Sequence, residues 1–222
     1  GAKINGTQVG TLGHFSFFST MYRKNLATGG IGGIYFTKKR SQFYKVKSHT
    51  DRGKPYDQKS FNNRDFHKYK FPALNLNLDE VSCAVGSTIL KELPSIIKKR
   101  YQIATKLNQF FLKYSKIFTL QAIPEKSIPS YYFLTIEINC NKKKRARIIE
   151  LLKQTGIGFN EKHRELVYEW KWIRKYTTKK FTSVNALDYR EKTINLYFNE
   201  KYSKKDVNLL LKKFLLVEKK VN

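Results

Sequence analysis

The chain has 222 residues, 41 % of them hydrophobic, and a formal net charge of +27. That length and apolar content suit one large domain or two modest ones with a real core, and they exclude global disorder. No apolar run reaches the roughly 18 residues that span a bilayer, no secretory signal is read at the start, and Cys83 and Cys140 stand apart, as free thiols in a reducing compartment do.

The positive charge is spread along the chain, and lysine outnumbers arginine 34 to 10. Specific base and phosphate recognition favours the arginine fork, so the charge reads first as solvated surface. The four histidines, His14, His49, His67 and His163, show no zinc-ligand spacing. The first residue is glycine and the sole methionine is Met21, which points to a piece of a longer chain.

In chain order, residues 14–20 and 33–38 read as strands joined by a glycine-rich turn. Residues 48–72 are polar, aromatic and turn-rich and read as a long loop. Asn77 and Glu80 form a capping-box pair, after which Val81, Val85 and Ile89 repeat at helical spacing. That helix is expected to stop near Leu93, and Pro94 to begin another over residues 94–114, with Ile97, Tyr101, Ala104, Leu107, Phe111 and Tyr114 as its core stripe. A second unit then begins. "YYFLTIEI" (131–138) is a strand, and a basic helix over 142–154 ends at Gly156. "GIGF" (156–159) begins the return, and "TINLYF" (193–198) is a further strand. Ser203 and Asp206 cap a last helix carrying Val207, Leu210, Leu211 and Phe214. Strands alternating with helices imply α/β or α+β layering. Lys142, Lys143, Lys144 and Arg145 open a helix where the dipole disfavours cations, so they read as an exposed face.

One lysine stands out. Lys24 lies between a strand end and the turn "GGIGG" (29–33), five residues after Ser19. A lysine that forms an imine must reach a pocket and lose its proton there. A strand end and a glycine turn supply a fixed backbone with room for a flat ligand, and the serine hydroxyl can bind an anion. The set suits an aldehyde cofactor with a phosphate, pyridoxal phosphate. An ordinary surface lysine at a turn fits the same spacing.

The chain resembles the sugar aminotransferases related to DegT, DnrJ and StrS. "GAKINGTQVGTLG" (1–13), Ser19, "KNL" (24–26) and "GIGG" (30–33) follow that family's pattern without a gap. "DRGKPYD" (51–57), "ALNLNLDEVSCAVGSTILKEL" (73–93), "TGIGF" (155–159) and "YSKKDVNLLLKKF" (202–214) are similar to later family segments. The resemblance implies an α/β chain. Residues 1–93 would be the C-terminal part of an aspartate-aminotransferase-like (fold type I) large domain, 94–115 a connecting helix, and 116–222 an α+β small domain. It implies that Lys24 holds pyridoxal 5'-phosphate and moves the proton, that Ser19 binds the cofactor phosphate, and that Asn75 reaches the phosphate in the neighbouring subunit of a homodimer. It further implies a cytoplasmic enzyme, without a membrane span, that passes an amino group from glutamate to a keto group of a nucleotide-diphosphate sugar. Relatives that dehydrate the sugar carry histidine at the position of Lys24. Two departures stand out: Asn77 replaces the usual arginine, and Met21 to Arg23 differ from the family's short aromatic-Pro-Thr run. The family also begins well upstream of Gly1, and that upstream part carries the groups that stack on the pyridine ring and pair with its nitrogen. Nucleic acid is not the expected partner. A basic nucleic-acid-binding or regulatory protein on the same fold is the second reading, and an inactive fragment is the third.

Overall fold

A computed structural model describes residues 1–161, 166–177 and 183–221; His163 lies outside them. The chain divides into two compact units. The first comprises Gly1–Ile97 and Glu125–Ser130, the second Lys98–Pro124 and Tyr131–Asn222.

The first unit holds two small antiparallel sheets. Strands β1 (Lys3–Ile4) and β2 (Thr7–Gln8) pair with each other, and β1 also pairs with Ser127–Ile128 from the returning segment 125–130. Strands β3 (Phe15–Ser19) and β4 (Gly33–Thr37) pair in the register Phe17↔Tyr35. Side chains alternate across a strand, so Phe15, Phe17 and Tyr35 share one face while Phe18, Ile34 and Phe36 share the other. Both faces are exposed, Phe17 at 78 %. Helix α1 (Arg40–Thr50) follows β4. Residues 40–47 carry no element in the sequence reading and 48–50 open the expected loop, because Phe43 and Val46 are the only aliphatic or phenylalanine positions of the helix and leave no apolar stripe. Its end is held by Ser48, which is buried and donates to the Lys54 carbonyl at 2.6 Å.

Helix α2 runs unbroken over Glu80–Tyr114 with Pro94 inside it, and the division between the units falls within it. The expected stop at Leu93 does not occur. Proline removes one hydrogen bond and crowds the preceding turn, but Ile97, Ala104, Leu107 and Phe111 are buried beyond it, and that burial offsets the local cost. Tyr101 and Tyr114, expected in the stripe, are 38 % and 53 % exposed, while Ile103 is buried instead. Val81 and Val85 are exposed at the helix start. The cap also differs from expectation: Asp79 Oδ1 accepts from the Ser82 amide at 2.8 Å, whereas Asn77 donates to Asn75.

The second unit is built on an antiparallel four-stranded sheet, ordered β5 (Phe118–Leu120), β7 (Leu134–Ile138), β9 (Thr193–Leu196), β8 (Phe159–Asn160), where β6 is the Ser127–Ile128 strand of the first unit. Helices α3 (Lys142–Gln154) and α5 (Lys204–Lys219) bury Ile148, Leu152, Leu211 and Phe214 in its core. Phe214 meets Phe111 and Phe118 edge-on, with centroids 5.2 and 5.0 Å away, the preferred aromatic geometry. The Ser203–Asp206 capping box forms as expected, and Gly156 follows the end of α3 with φ +70. A short helix α4 (Val184–Lys192) leads directly into β9. Arg145 is more than an exposed cation: its guanidinium donates to the carbonyls of Glu161 and Thr193 at 2.8 and 3.1 Å.

Candidate active site

The loop between β3 and β4 carries Lys24 and is stapled at both ends. Thr20, next after β3, donates its amide to the Gly32 carbonyl at 2.9 Å, and Tyr22 donates to Gly30 at 2.8 Å. Thr28 donates its amide to the Thr20 carbonyl at 2.9 Å and its hydroxyl to the same oxygen at 3.1 Å. The Thr20 and Thr28 hydroxyl oxygens are 3.0 Å apart, and both residues are buried. Buried polar groups of this kind fix a conformation because leaving them unmade is costly.

Glycine lets neighbouring groups close on this staple. A Cβ on Gly32 would lie 2.6 Å from Thr20 Oγ1 and 2.9 Å from Thr28 Oγ1. A Cβ on Gly86 of α2 would lie 2.7 Å from Thr28 Cγ2. Within the loop the Lys24 amide donates to the Met21 carbonyl at 2.8 Å, closing a turn, and the Lys24 side chain is half-buried. Asn25 donates its side-chain amide to the Ser130 carbonyl at 2.7 Å, anchoring the loop to residue 130 of the same unit. On the other side, a Cβ on Gly29 or Gly30 would meet nothing within 4 Å, so the turn is open there.

Ser19 ends β3, is exposed, and accepts from the Met21 amide at 3.4 Å. Ser19 and Lys24 thus share one loop. Asn75 lies apart in sequence, on an extended segment that bridges Asp51, with its side-chain oxygen accepting from Asn77 at 2.9 Å. Among the described residues no cluster of histidine, cysteine, aspartate or glutamate forms a metal site.

Beside that bridge lies a charged centre inside the quoted "DRGKPYD". The buried Asp51 accepts from Lys54 Nζ at 2.8 Å, from Arg52 Nε at 2.9 Å and from the Tyr56 hydroxyl. Burial acts to raise the Asp51 pKa, but the hydrogen bonds from Lys54, Tyr56, Arg52 and Asn77 outweigh it and hold the carboxyl far below the usual range. Burial, together with the bond to Asp51, pushes the Tyr56 hydroxyl up to about 12. One acid followed closely by two bases in Asp51-Arg52-Gly53-Lys54 is the sequence signal for this centre; Thr20 and Thr28, eight residues apart around the lysine, are the signal for the staple. Neither was singled out from the sequence.

The model of the DegT/DnrJ/EryC1/StrS aminotransferase family matches residues 1–214. The chain belongs to this family. Family members are enzymes, and their resemblance to this chain extends to the tertiary fold. It aligns with Helicobacter pylori PseC, described as an aminotransferase involved in the biosynthesis of pseudoaminic acid, at a TM-score of 0.85 and 20 % identity, covering 99 % of this chain and 57 % of that one. The PLP form of a putative sugar aminotransferase from Streptococcus pneumoniae aligns at a TM-score of 0.81 and 20 % identity, covering 100 % and 56 %. These likenesses show the fold, the α/β fold of type I aminotransferases. A curated relative from Yersinia pseudotuberculosis, named GDP-4-keto-6-deoxy-D-mannose 3-dehydratase, is 28 % identical over 71 % of this chain and 42 % of its own length. The chain therefore spans about half the length of the relatives it matches. No helix among its described residues is long and apolar enough to cross a membrane.

The residues present fit pyridoxal phosphate in chemistry. A half-buried lysine sits on a stapled loop, a hydroxyl lies five residues before it, and the glycine turn is open on one side.

Proposed function

We propose that the chain is the C-terminal part of a cytoplasmic, pyridoxal-phosphate-dependent aminotransferase that moves an amino group, from glutamate as donor, to a keto group of a nucleotide-diphosphate sugar. In this reading residues 1–93 complete the cofactor-binding domain, 94–115 connect, and 116–222 form the small domain, with 125–130 packed back on the first unit. The observation that carries the reading is Lys24 on the Thr20–Thr28 staple, in a chain of this family.

When bound, pyridoxal phosphate supplies an electron sink for charge at the carbon that loses or gains the amine. Lys24 Nζ would hold the cofactor through its aldehyde and would serve as the base that moves the proton. The staple limits how far that nitrogen strays, which is the orientation such a transfer needs. The Ser19 hydroxyl donates to the cofactor phosphate. Asn75 serves the second subunit of a homodimer. Transamination is favoured over dehydration, the activity named for the Yersinia relative, because the chain keeps a primary amine at position 24.

Borohydride trapping tests this. The purified chain, and a version extended upstream along its gene, are incubated with pyridoxal phosphate, reduced, digested and mapped by mass. Dominant label on Lys24, absent in Lys24→Ala, is the expected result. Label spread evenly over the surface lysines of both proteins would sink the proposal.

A further inference from the structure

Helix α5 packs one side into the core of the second unit and leaves the other side uncovered. Val207, Leu210, Leu211, Phe214 and Val217 are buried. At 3.6 residues per turn, Lys205, Leu209, Lys212, Leu216 and Lys219 line up along the opposite side. Leu209 and Leu216 are 51 % and 50 % exposed there. Two leucines thus stand in the middle of a polar face, one on each side of Lys212. Beside Leu216, the end of α3 and the end of α5 border an open groove of about 210 Å³, lined by Leu151, Gln154 and Thr155 from α3 and by Lys213, Val217 and Lys220 from the α5 side.

Little on these two helices neutralises the lysines. Residues 204–220 hold six lysines and two acids. Asp206 accepts from the amide and the hydroxyl of Ser203 at 2.8 and 2.7 Å. Glu218 is buried and accepts from Ser115 Oγ at 2.6 Å and from the Lys116 amide at 2.7 Å. On α3 the one acid, Glu150, is held by Arg147 at 3.0 Å. A helix face that serves only water mixes the two signs in i,i+4 pairs. This one sets like charges along a row with leucines between them. The pattern matches an anionic surface over an apolar layer, where lysine heads stay at the charged level and leucines dip below it. A nucleic-acid strand would instead call for aromatic platforms. No aromatic residue occurs in α3, and the one in α5, Phe214, is buried.

We propose that the outer side of α5 docks on an anionic lipid bilayer, with headgroup phosphates against Lys205, Lys212, Lys213 and Lys219, and with Leu209 and Leu216 entering the boundary between headgroups and acyl chains. Lysine suits this partner. Its ammonium is a hydrated point charge on a flexible stem, which follows a fluid array of headgroups better than a rigid fork does. The buried side of α5 stays in the core, so the chain lies on the bilayer and does not span it. An anionic inner leaflet is the surface of this kind that a cytoplasmic protein meets. The docking uses residues of the second unit only and no residue of the Lys24 loop.

Vesicle sedimentation tests this with the purified full chain. The vesicles are phosphatidylcholine alone, or phosphatidylcholine with about 30 % phosphatidylserine, in about 0.1 M salt. Binding about tenfold or more tighter to the anionic vesicles is the expected result. Because the whole chain is basic, two double variants of equal charge change separate this face from diffuse attraction. Lys212→Glu, Lys219→Glu should weaken binding about tenfold, and Lys38→Glu, Lys39→Glu, on the exposed segment after β4, by no more than about twofold. Leu209→Ser, Leu216→Ser alters exposed positions and no charge, and circular dichroism checks that the fold is kept. It should weaken vesicle binding about fivefold or more while binding to heparin, a polyanion with no apolar layer, is unchanged. Equal binding to the two kinds of vesicle, equal loss in the two charge variants, or no loss in the leucine variant overturns the docking face. A dT oligonucleotide or polyglutamate that displaces the vesicles, and whose own binding is lost in Lys212→Glu, Lys219→Glu, overturns it in favour of a nucleic-acid or an acidic-protein partner.

Discussion

Thr28 donates its hydroxyl to the Thr20 carbonyl at 3.1 Å while the two threonine hydroxyl oxygens lie 3.0 Å apart, and this pair closes the loop that presents Lys24. Both residues are buried, so no water replaces a lost partner. Thr28→Val keeps the shape and removes the hydroxyl, leaving Thr20 Oγ1 with a missing partner. A loss of about 1–3 kcal/mol follows from such an unmade buried bond. Urea unfolding reads the stability, and borohydride labelling of Lys24 should fall in the same variant.

Gly32→Ala should act on the same staple by a different route. Its methyl would lie 2.6 Å from Thr20 Oγ1 and 2.9 Å from Thr28 Oγ1, so the hydroxyl pair must part. Loss of Lys24 labelling in Gly32→Ala, with labelling kept in Gly30→Ala where the space is open, is the expected contrast.

The Asp51–Lys54 pair predicts acid sensitivity. Both side chains are buried, at 3 % and 7 % exposure. The folded carboxyl is depressed, so the unfolded chain binds the proton more readily as pH falls. The stabilisation is complete above the unfolded value of about 4 and is lost as pH drops below it toward the lower folded value. Asp51→Asn should flatten that acid dependence in urea midpoints measured from neutral pH downward. At neutral pH it should cost about 3–5 kcal/mol, because Lys54 is left buried without its charge partner; Lys54→Met added to it should recover part of the loss.

In the second unit, Arg100 pairs with Glu200 at 3.0 Å and donates to the carbonyls of Tyr131 and Phe198 at 2.9 and 3.2 Å. The fork of the guanidinium serves all three at once, and an ammonium cannot. Arg100→Lys should therefore destabilise nearly as much as Arg100→Ala, by about 2–4 kcal/mol, as read by denaturant unfolding.

The β3–β4 pair predicts self-association of the isolated chain. Phe15, Phe17 and Phe18 are exposed at 55 %, 78 % and 41 %, and a two-stranded sheet is marginal alone. Phe17→Lys should lower light scattering and dye binding to exposed apolar surface without changing the second unit's unfolding. Unchanged scattering would show that these rings are not the sticky surface.

Local pattern made part of the molecule legible. The strands at Phe15–Ser19, Gly33–Thr37 and Leu134–Ile138, the basic helix Lys142–Gln154 and the box Ser203–Asp206 follow from periodicity and capping, which act over a few residues. So did the family, whose motifs lie in short runs around Lys24 and Asn75. Tertiary packing settled the rest. Helix α2 continues through Pro94 because residues beyond it are buried against distant parts of the chain. Val81 and Val85 have the spacing of a core face and are exposed all the same. Asp79, not Asn77, caps the helix because Asn77 is engaged by Asn75. Asn25 finds the Ser130 carbonyl 105 residues away. Such contacts depend on where the backbone brings remote groups together, and no local spacing encodes that.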